Sequence, residues 1–202
     1  MIPWLEIRRK IMHTWPIIIP IAYRFVSKDT AFMIMLPICA VYVFCDIFRH
    51  FHDGFRQLFD RIITVNFLRE HEKNGLIGSS YFIFGALLAV ILFRKPVTIA
   101  SLYILIISDA MAAIVGTGWG RTRIFAKSLE GSIAFFVSGT IVVLLAMQDK
   151  PLWGESAMQG HLFWGVLAVA GATLAELFPT GLDDNLTIPL VAGVIMMLGF
   201  WI

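Results

Sequence analysis

Long runs of apolar residues, with few charges inside them, are the feature that most limits how this chain can fold. Of its 202 residues, 58% are apolar and only 15% are charged. A soluble domain of this size could not hide so much apolar surface, whereas a helix that crosses a bilayer needs roughly 20 apolar residues in a row. The sequence therefore predicts a single integral membrane domain over residues 1–202.

Seven candidate membrane spans follow from the hydropathy of the chain. They cover 14–27, 30–48, 77–93, 96–116, 132–147, 161–178 and 186–202. In the segment 49–75, apolar side chains recur at helical spacing among charges, which is typical of an amphipathic helix at a membrane surface. The predicted fold class is all-α: a polytopic integral membrane helical bundle with about seven transmembrane helices and a cytoplasmic amphipathic helix.

The distribution of Lys and Arg predicts the orientation of the bundle, because short cytoplasmic loops carry more of these residues. With the N-terminus in the cytoplasm, eleven of the 16 basic residues fall on the inner side. The polar clusters at 8–13, 46–73, 109–132 and 181–185 then lie near that side. The sequence thus predicts one site that faces the cytoplasm. No organelle-targeting segment is evident, so a bacterial or archaeal inner membrane is the expected location.

Asp109 is the most informative single residue, because it lies inside the apolar stretch "YILIISDAMAAIVG". A charged side chain at the centre of a bilayer costs at least ~2.5–3.5 kcal/mol on insertion scales, so it normally has a partner or a function. Two interpretations stay open. Asp109 is either a structural carboxylate paired with an arginine from a neighbouring helix, or a group that takes part in chemistry.

A loop rich in glycine and basic residues follows this stretch. Its glycines are Gly116, Gly118 and Gly120, and its cations are Arg121, Arg123 and Lys127. Free backbone amides, cations and a new helix start at Lys127–Ser128 together favour binding of a phosphate. The loop does not match the Walker A pattern, since Arg121 follows Gly120. The alternative is a flexible cytoplasmic turn that obeys the positive-inside rule.

Oxygen-bearing side chains near the same membrane face are candidates for Mg²⁺, which prefers oxygen ligands and phosphate partners. These side chains are Glu130, Glu176, Asp183, Asp184 and Asn185. The alternative for the Asp-Asp-Asn run is helix capping, because Asp and Asn are favoured at the N-cap position.

Two shorter polar motifs lie earlier in the chain. Arg9, Lys10 and His13 precede the first span, either as part of a site or as a positive flank that sets topology. Asp46 and Arg49 lie three residues apart on a predicted helix, which is close enough for an ion pair.

Together these motifs resemble the CTP-dependent lipid-alcohol kinases, the family of dolichol kinase, phytol kinase and the CTP-using diacylglycerol kinase. The segment "SDAMAAIVGTGWGRTRIFAKSLEGSIAFF" is similar to the central signature of that family. The matching positions are Asp109, Ala110, Gly116, Gly120, Lys127, Glu130, Gly131 and Ser132. The segment "ELFPTGLDDNLTIPL" resembles its closing Glu…Asp-Asn element, on Glu176, Asp184 and Asn185. The motifs Arg9–Lys10–His13 and Asp46–Arg49 are similar to its earlier elements.

The resemblance implies a kinase that moves the γ-phosphoryl group of CTP, with Mg²⁺, to the hydroxyl of a membrane lipid alcohol. Polyprenol, dolichol, phytol and diacylglycerol are the candidate acceptors. The expected catalytic residues are Asp109, Lys127, Arg9 and Lys10. The expected nucleotide-binding residues are Gly116, Gly118, Gly120, Lys127, Ser128, Gly131 and Ser132. The expected Mg²⁺ ligands are Asp109, Glu130, Glu176, Asp184 and Asn185, with Asp109 alternatively the base that takes the hydroxyl proton.

Two other functions compete with this interpretation. A phosphatidate cytidylyltransferase also joins CTP to a membrane lipid, but "PTGLDDN" stands where that family has a Pro-Gly-His-Gly-Gly motif. A small transporter also carries polar residues in its spans, yet we find no inverted repeat. Nucleotide and lipids are the expected partners, nucleic acid is not, and the sequence leaves the oligomeric state open.

Overall fold

The computed structural model describes residues 14–59, 75–154, 157–178 and 181–200. Arg9, Lys10, His13 and most of the predicted amphipathic segment lie outside these residues. The helices are α1 (Ile18–Phe25), α2 (Lys28–Phe48), α3 (Asp53–Phe59), α4 (Gly78–Leu92), α5 (Lys95–Tyr103), α6 (Asp109–Trp119), α7 (Leu129–Ala146), α8 (Lys150–Trp153), α9 (Ala157–Leu177) and α10 (Asp184–Leu198). A 3₁₀ turn, Trp15–Ile17, precedes α1, and a π-helical turn, Ile104–Ser108, joins α5 to α6. The short strands β1 (Arg123–Ile124) and β2 (Lys127–Ser128) form one hairpin.

Three helices are long and apolar enough to cross a membrane. They are α2, the continuous helix Lys95–Trp119 that contains α5 and α6, and α7. Three shorter apolar helices lie at Gly78–Leu92, His161–Leu177 and Asp184–Leu198. The prediction of an all-α membrane protein is confirmed, but seven spans are not. The first predicted span falls on α1, whose eight residues reach only about 12 Å.

The surface of the long helices is apolar, as a lipid-facing surface requires. On α2, Met33 is 74% exposed and Phe44 is 64% exposed. On α7, Ile133, Val137 and Ile141 are also exposed, four residues apart along one helical face. Contiguous apolar surface of this extent is rare on soluble proteins, so these faces are suited to contact with lipid chains.

The core of the bundle surrounds α5, which packs against α1, α4, α7 and α10. Val97, Leu102 and the following Ile104 are fully buried there. Close approach at one glycine fixes α4 against the start of α10, because a Cβ atom on Gly85 would lie 2.8 Å from the carbonyl oxygen of Asn185. The absence of a side chain at Gly85 therefore lets α4 lie close to the first residues of α10.

At the end of the bundle where α4 and α1 finish, two lysines cap the helix carbonyls. Lys28 Nζ donates to the carbonyl oxygens of Ile91 and Phe93, 2.9 and 3.0 Å away. Lys95 Nζ donates in the same way to Arg24 and Val26. Cations at helix C-termini satisfy carbonyls that have no partner within the helix and interact favourably with the helix dipole.

At the other end, a buried ion pair joins α2 to the segment before α4. Arg49 Nε donates to Asp46 Oδ1 at 2.6 Å, as the i,i+3 spacing predicted, and both side chains are at most 1% exposed. Asp46 Oδ2 accepts the backbone N–H of Ile77 at 2.9 Å and the hydroxyl of Ser80 at 2.5 Å. Arg49 also donates to the carbonyl oxygen of Gly75 at 2.8 Å. The pair therefore holds Gly75–Ile77 in place.

Replacing Arg49 should expose how much the bundle depends on this pair. Arg49→Met leaves the Asp46 carboxylate buried without its cation, a change that costs about 3–5 kcal/mol for buried pairs. The matched control is Arg24→Met, which breaks the exposed pair between Arg24 and Asp149 and should have a much smaller effect. The midpoint of thermal unfolding in detergent measures the effect of each variant. Equal shifts in the midpoint for Arg49→Met and Arg24→Met would contradict the assignment of Asp46–Arg49 as the structural pair.

Candidate functional site

The hairpin brings the basic loop back to the bundle. Its strands are antiparallel, with Arg123 opposite Ser128 and Ile124 opposite Lys127, so Phe125 and Ala126 form a two-residue turn. Ser128 then caps α7, since its hydroxyl accepts the backbone N–H of Gly131 at 3.1 Å. The helix start predicted at Lys127–Ser128 is confirmed, and Lys127 is held next to it.

Lys127 joins three elements that are far apart in the sequence. Its Nζ atom lies 2.8 Å from Glu176 Oε1, near the end of α9, and 2.9 Å from Asp184 Oδ2, at the start of α10. Glu176 is only 4% exposed, whereas the side chains of Lys127 and Asp184 are about one-third exposed. The second Glu176 oxygen accepts the hydroxyl of Ser132 on α7 at 3.3 Å. These four residues form the polar cluster of the site.

The charge of Lys127 depends on a balance between burial and attraction. Burial lowers its pKa, but the carboxylates of Asp184 and Glu176 outweigh that effect, and the pKa lies above its usual value. Lys127 is therefore protonated at neutral pH. The protonated Lys127 side chain therefore stabilises the folded state fully at pH values below the ordinary lysine pKa. This stabilisation is lost only as the pH rises through the higher pKa that Lys127 has in the folded protein.

A cavity of about 360 Å³ opens beside the polar cluster. Its lining combines the segment held by Arg49, the hairpin turn and the connection from α9 to α10. The lining residues are Gly75, Leu76, Tyr81, Phe125, Ala126, Lys127, Glu176, Leu177, Phe178, Gly181, Leu182, Asp183 and Asp184. Among the described lining residues, one ammonium and three carboxyl groups sum to a formal charge of −2, which suits a divalent cation or a metal–phosphate complex better than a bare phosphate.

The adjacent acidic residues of the closing motif have separate roles. Asp183 caps α10, because its Oδ1 atom accepts the backbone N–H of Asn185 at 2.9 Å and the side-chain amide of Asn185 at 2.7 Å. Asp184 instead contacts Lys127. The capping interpretation is thus confirmed for Asp183, and Asp184 remains a member of the polar cluster.

The glycines of the loop pack against Ser128. A Cβ atom on Gly120 would lie 2.3 Å from the carbonyl oxygen of Gly116 and 2.7 Å from the Ser128 hydroxyl oxygen. A Cβ atom on Gly131 would lie 3.0 Å from the same hydroxyl. The helix continues past Gly116 and Gly118 to Trp119, and the Gly120 N–H donates to Gly116. That amide is therefore not free as the glycine pattern predicted, and phosphate binding by these glycines stays a prediction.

Glu130 closes the loop between α6 and the hairpin. Its carboxylate accepts the backbone N–H of Thr122, at 3.1 and 3.3 Å for the two oxygens. Its expected role as an Mg²⁺ ligand stays a prediction.

Asp109 is the first residue of α6 and follows the π-helical turn directly. Single π-helical turns inserted in α-helices occur frequently at functional sites. Asp109 is seven residues before Gly116, which puts it about 10 Å deeper along the helix. Its neighbour Ser108 is fully buried beside Gly139, and the Ser108 hydroxyl has no hydrogen-bond partner. The chemical role expected of Asp109 stays a prediction.

The residues present suit a magnesium ion bound together with a phosphate. Within the described part of the chain, no three His, Cys, Asp or Glu side chains are close enough to form a metal site by themselves. Mg²⁺ commonly uses only one or two carboxylates and takes its remaining ligands from water and substrate phosphates. Glu176 and Asp184 supply two carboxylates at the cavity wall, which fits that pattern.

Several lining residues were missed in the sequence, above all Phe125, Phe178 and Tyr81. Aromatic residues are common in an apolar chain, so their presence in the sequence does not indicate a binding site. For Phe125 there is a local signal: it is an aromatic residue between the basic residues Arg123 and Lys127.

Substitution of Gly120 tests the packing of the loop. Gly120 has an ordinary φ of −65°, so alanine adds only a steric clash with Gly116 and Ser128. Overpacking of this kind costs about 1–3 kcal/mol. We expect Gly120→Ala to lower the thermal unfolding midpoint, whereas Gly54→Ala, where a Cβ meets nothing within 4 Å, should not. A normal midpoint for Gly120→Ala would mean that this close packing does not exist.

The chain is similar to lipid kinases over most of its length. It is 29% identical over 161 residues to CTP-dependent diacylglycerol kinase 1 of Schizosaccharomyces pombe, which covers 76% of this chain and 73% of that protein. It is 32% identical over 162 residues to the Saccharomyces cerevisiae protein of the same name, covering 70% of this chain and 54% of that protein. An uncharacterized protein of Rickettsia prowazekii is 33% identical over 190 residues, covering 92% of this chain and 90% of that protein.

Further similar proteins are named probable phytol kinase and dolichol kinase. No protein-family model matches the chain, and no solved structure matches it.

Proposed function

Because this chain belongs to the family of CTP-dependent lipid kinases, we propose that it transfers the γ-phosphoryl group of CTP to the hydroxyl of a membrane lipid alcohol. The observation that carries the proposal is the contact of Lys127 with Glu176 and Asp184 beside a cavity of about 360 Å³. Phosphoryl transfer needs mainly positioning and neutralisation of charge, which cations and a metal supply.

The location of the polar cluster supports transfer between water and lipid. Its members lie at helix ends: Lys127 and Ser132 near the start of α7, Glu176 near the end of α9 and Asp184 at the start of α10. A site at helix ends can receive the nucleotide from the aqueous side and the lipid hydroxyl from the bilayer. In the proposed orientation, the N-terminus and this site face the cytoplasm of a bacterial or archaeal cell, at its inner membrane.

The proposed roles follow the chemistry of each group. Lys127 is the cation among the described residues of the cavity lining, and it would stabilise negative charge on the phosphates, together with Arg9 and Lys10. Glu176 and Asp184 would hold Mg²⁺, with Asp109, Glu130 and Asn185 as further candidate ligands. When bound, Mg²⁺ neutralises phosphate charge. Gly116, Gly118, Gly120, Ser128, Gly131 and Ser132 are the proposed nucleotide-binding residues of the loop and the start of α7.

In the proposed reaction, the lipid hydroxyl oxygen forms a bond to the γ-phosphorus and the bond to the β-phosphate oxygen breaks, which releases CDP. The hydroxyl proton must leave in the same reaction. Asp109 is the proposed acceptor of that proton if it is not a metal ligand, because a carboxylate within reach of the bilayer suits this task.

Diacylglycerol is the first acceptor to test, because the two yeast relatives described above are named for it. Dolichol, polyprenol and phytol follow it in the panel. No specific observation favours a cytidylyltransferase or a transporter.

Neutralising Lys127 tests the proposed site. In purified protein, Lys127→Met should lower the initial rate of label transfer from γ-labelled CTP to lipid by about 10²-fold, since loss of one preorganised electrostatic group has an effect of that size. Lys150→Met removes an exposed lysine at the start of α8 and should leave the rate unchanged. Asp184→Asn and Asp109→Asn should also lower the rate of label transfer, while their thermal unfolding midpoints stay within a few degrees of wild type. A normal rate for Lys127→Met would refute the site.

Metal removal tests the charge of the cavity. Because the described lining residues carry a formal charge of −2, CTP should bind weakly when EDTA is present, and Mg²⁺ should restore binding. Equilibrium dialysis with labelled CTP measures this, independently of catalysis. Equal affinity with and without the metal would show that the carboxylates hold no cation.

A further inference from the structure

Two aromatic side chains lie at the edge of the cavity, beside the polar cluster. The rings of Phe125, in the hairpin turn, and Phe178, just after α9, have centroids 5.6 Å apart and planes at 51°. Phe125 is 62% exposed and Phe178 is 49% exposed, so about half of each side chain is open. Both line the same cavity as Lys127.

The backbone holds Phe125 in an unusual conformation. Its φ is +54°, and among the described residues no other non-glycine residue has a positive φ. A bulky residue is uncommon in this region, which glycine occupies readily. Strained backbone often accompanies functional sites, where the side chain is needed at that position. The turn thus keeps a ring at the cavity edge where glycine would be easier to accommodate.

The cavity lining combines charged and aromatic side chains at short range. Phe125 is two residues from Lys127, so their Cα atoms are at most about 7 Å apart. A volume of about 360 Å³ lies in the range of small-molecule sites. A ligand that fits this arrangement carries phosphates at one end and a flat, apolar group at the other, and a nucleotide has both.

We propose that Phe125 and Phe178 form the base-binding part of the nucleotide site, where the pyrimidine ring of the donor stacks on an exposed aromatic face. This inference rests on the proposed function for the identity of the nucleotide. Stacking on aromatic side chains tolerates any base, because every base has a π-face. The pair therefore adds affinity for nucleotides in general, and it does not by itself distinguish CTP from ATP.

The surroundings of Phe125 favour a base over a lipid chain. The hairpin that carries Phe125 also carries the exposed residues Arg121, Thr122 and Arg123. The same lining includes the carboxyl groups of Asp183 and Asp184. A lipid chain requires a continuous apolar surface, which these charged neighbours interrupt.

The experiment compares ligands with and without a base. Wild-type protein and the variants Phe125→Leu, Phe178→Leu and Phe125→Trp are titrated in detergent with Mg²⁺ and CTP, and separately with Mg²⁺ and tripolyphosphate, which has no base. Each leucine variant should raise the Kd for CTP by about tenfold, which is within the range for loss of one stacked base. The Kd for tripolyphosphate should not change, and Phe125→Trp should bind CTP as wild type does.

Phe125→Gly controls for folding. Glycine relieves the positive φ, so this variant should unfold at the wild-type temperature or above it, yet bind CTP as weakly as Phe125→Leu. A variant that folds normally and loses CTP affinity cannot be explained by a damaged structure.

The outcomes separate this inference from the proposed function. Normal CTP affinity in the leucine variants, equal loss of CTP and tripolyphosphate, or a raised KM for the lipid alone would each overturn the base-binding role. If the variants lose CTP affinity but wild-type protein transfers no phosphate, the base site stands and the kinase proposal fails. Wild-type protein that binds no CTP would overturn both.

Discussion

The contact of one lysine with two carboxylates is the interaction on which the site depends. Lys127 reaches Glu176 and Asp184 only because the hairpin turns the loop after α6 back toward α9 and α10. Glu176 is almost fully buried, so it needs this cation and the Ser132 hydroxyl to offset the loss of water. The same contacts that stabilise the buried carboxylate therefore fix the relative positions of the hairpin and two helix ends.

The remaining contacts near the cavity support this arrangement from both sides. Asp46 and Arg49 hold Gly75–Ile77, which forms part of the cavity wall. Gly85 lets α4 approach the start of α10, next to Asp184. The site thus lies at one end of the bundle and is built on helix ends. The charge of its single described lysine, Lys127, is already balanced by the carboxylates of Glu176 and Asp184. Because of this balance, we expect a polyphosphate to bind only together with a metal ion.

Local patterns in the sequence predicted what depends on near neighbours. The i,i+3 spacing of Asp46 and Arg49 predicted their ion pair, and the Lys127–Ser128 step predicted a helix start. Hydropathy predicted six of the apolar helices closely. The span predicted at 14–27 is longer than α1, because hydropathy does not show that Trp15–Ile17 forms a 3₁₀ turn before the α-helix begins. The sequence identifies Lys127 as a cation of the glycine-rich loop and Glu176 and Asp184 as oxygen ligands, and the family resemblance assigns all three to one site.

Contacts between distant residues were beyond sequence reasoning. Nothing in the sequence indicates that Asp46 accepts the amide of Ile77, 31 residues away, or that the Ser128 hydroxyl fills the space beside Gly116 and Gly120. The glycine spacing predicts free amides, whereas in the structure these glycines allow close packing of α6 against the start of α7. The aromatic edge of the cavity was missed for the same reason, since Phe125 and Phe178 meet only in the folded chain.

In the proposed reaction, the terminal phosphoryl group of CTP, and no other part of the nucleotide, moves to a lipid hydroxyl. The most direct measurement gives purified protein, Mg²⁺ and diacylglycerol, dolichol, polyprenol or phytol either α-labelled or γ-labelled CTP, and follows the label into the lipid phase. We expect γ label to enter one of these lipids while α label stays with CDP in the aqueous phase. Entry of α label into lipid, or of neither label into any lipid of the panel, would contradict the proposed reaction.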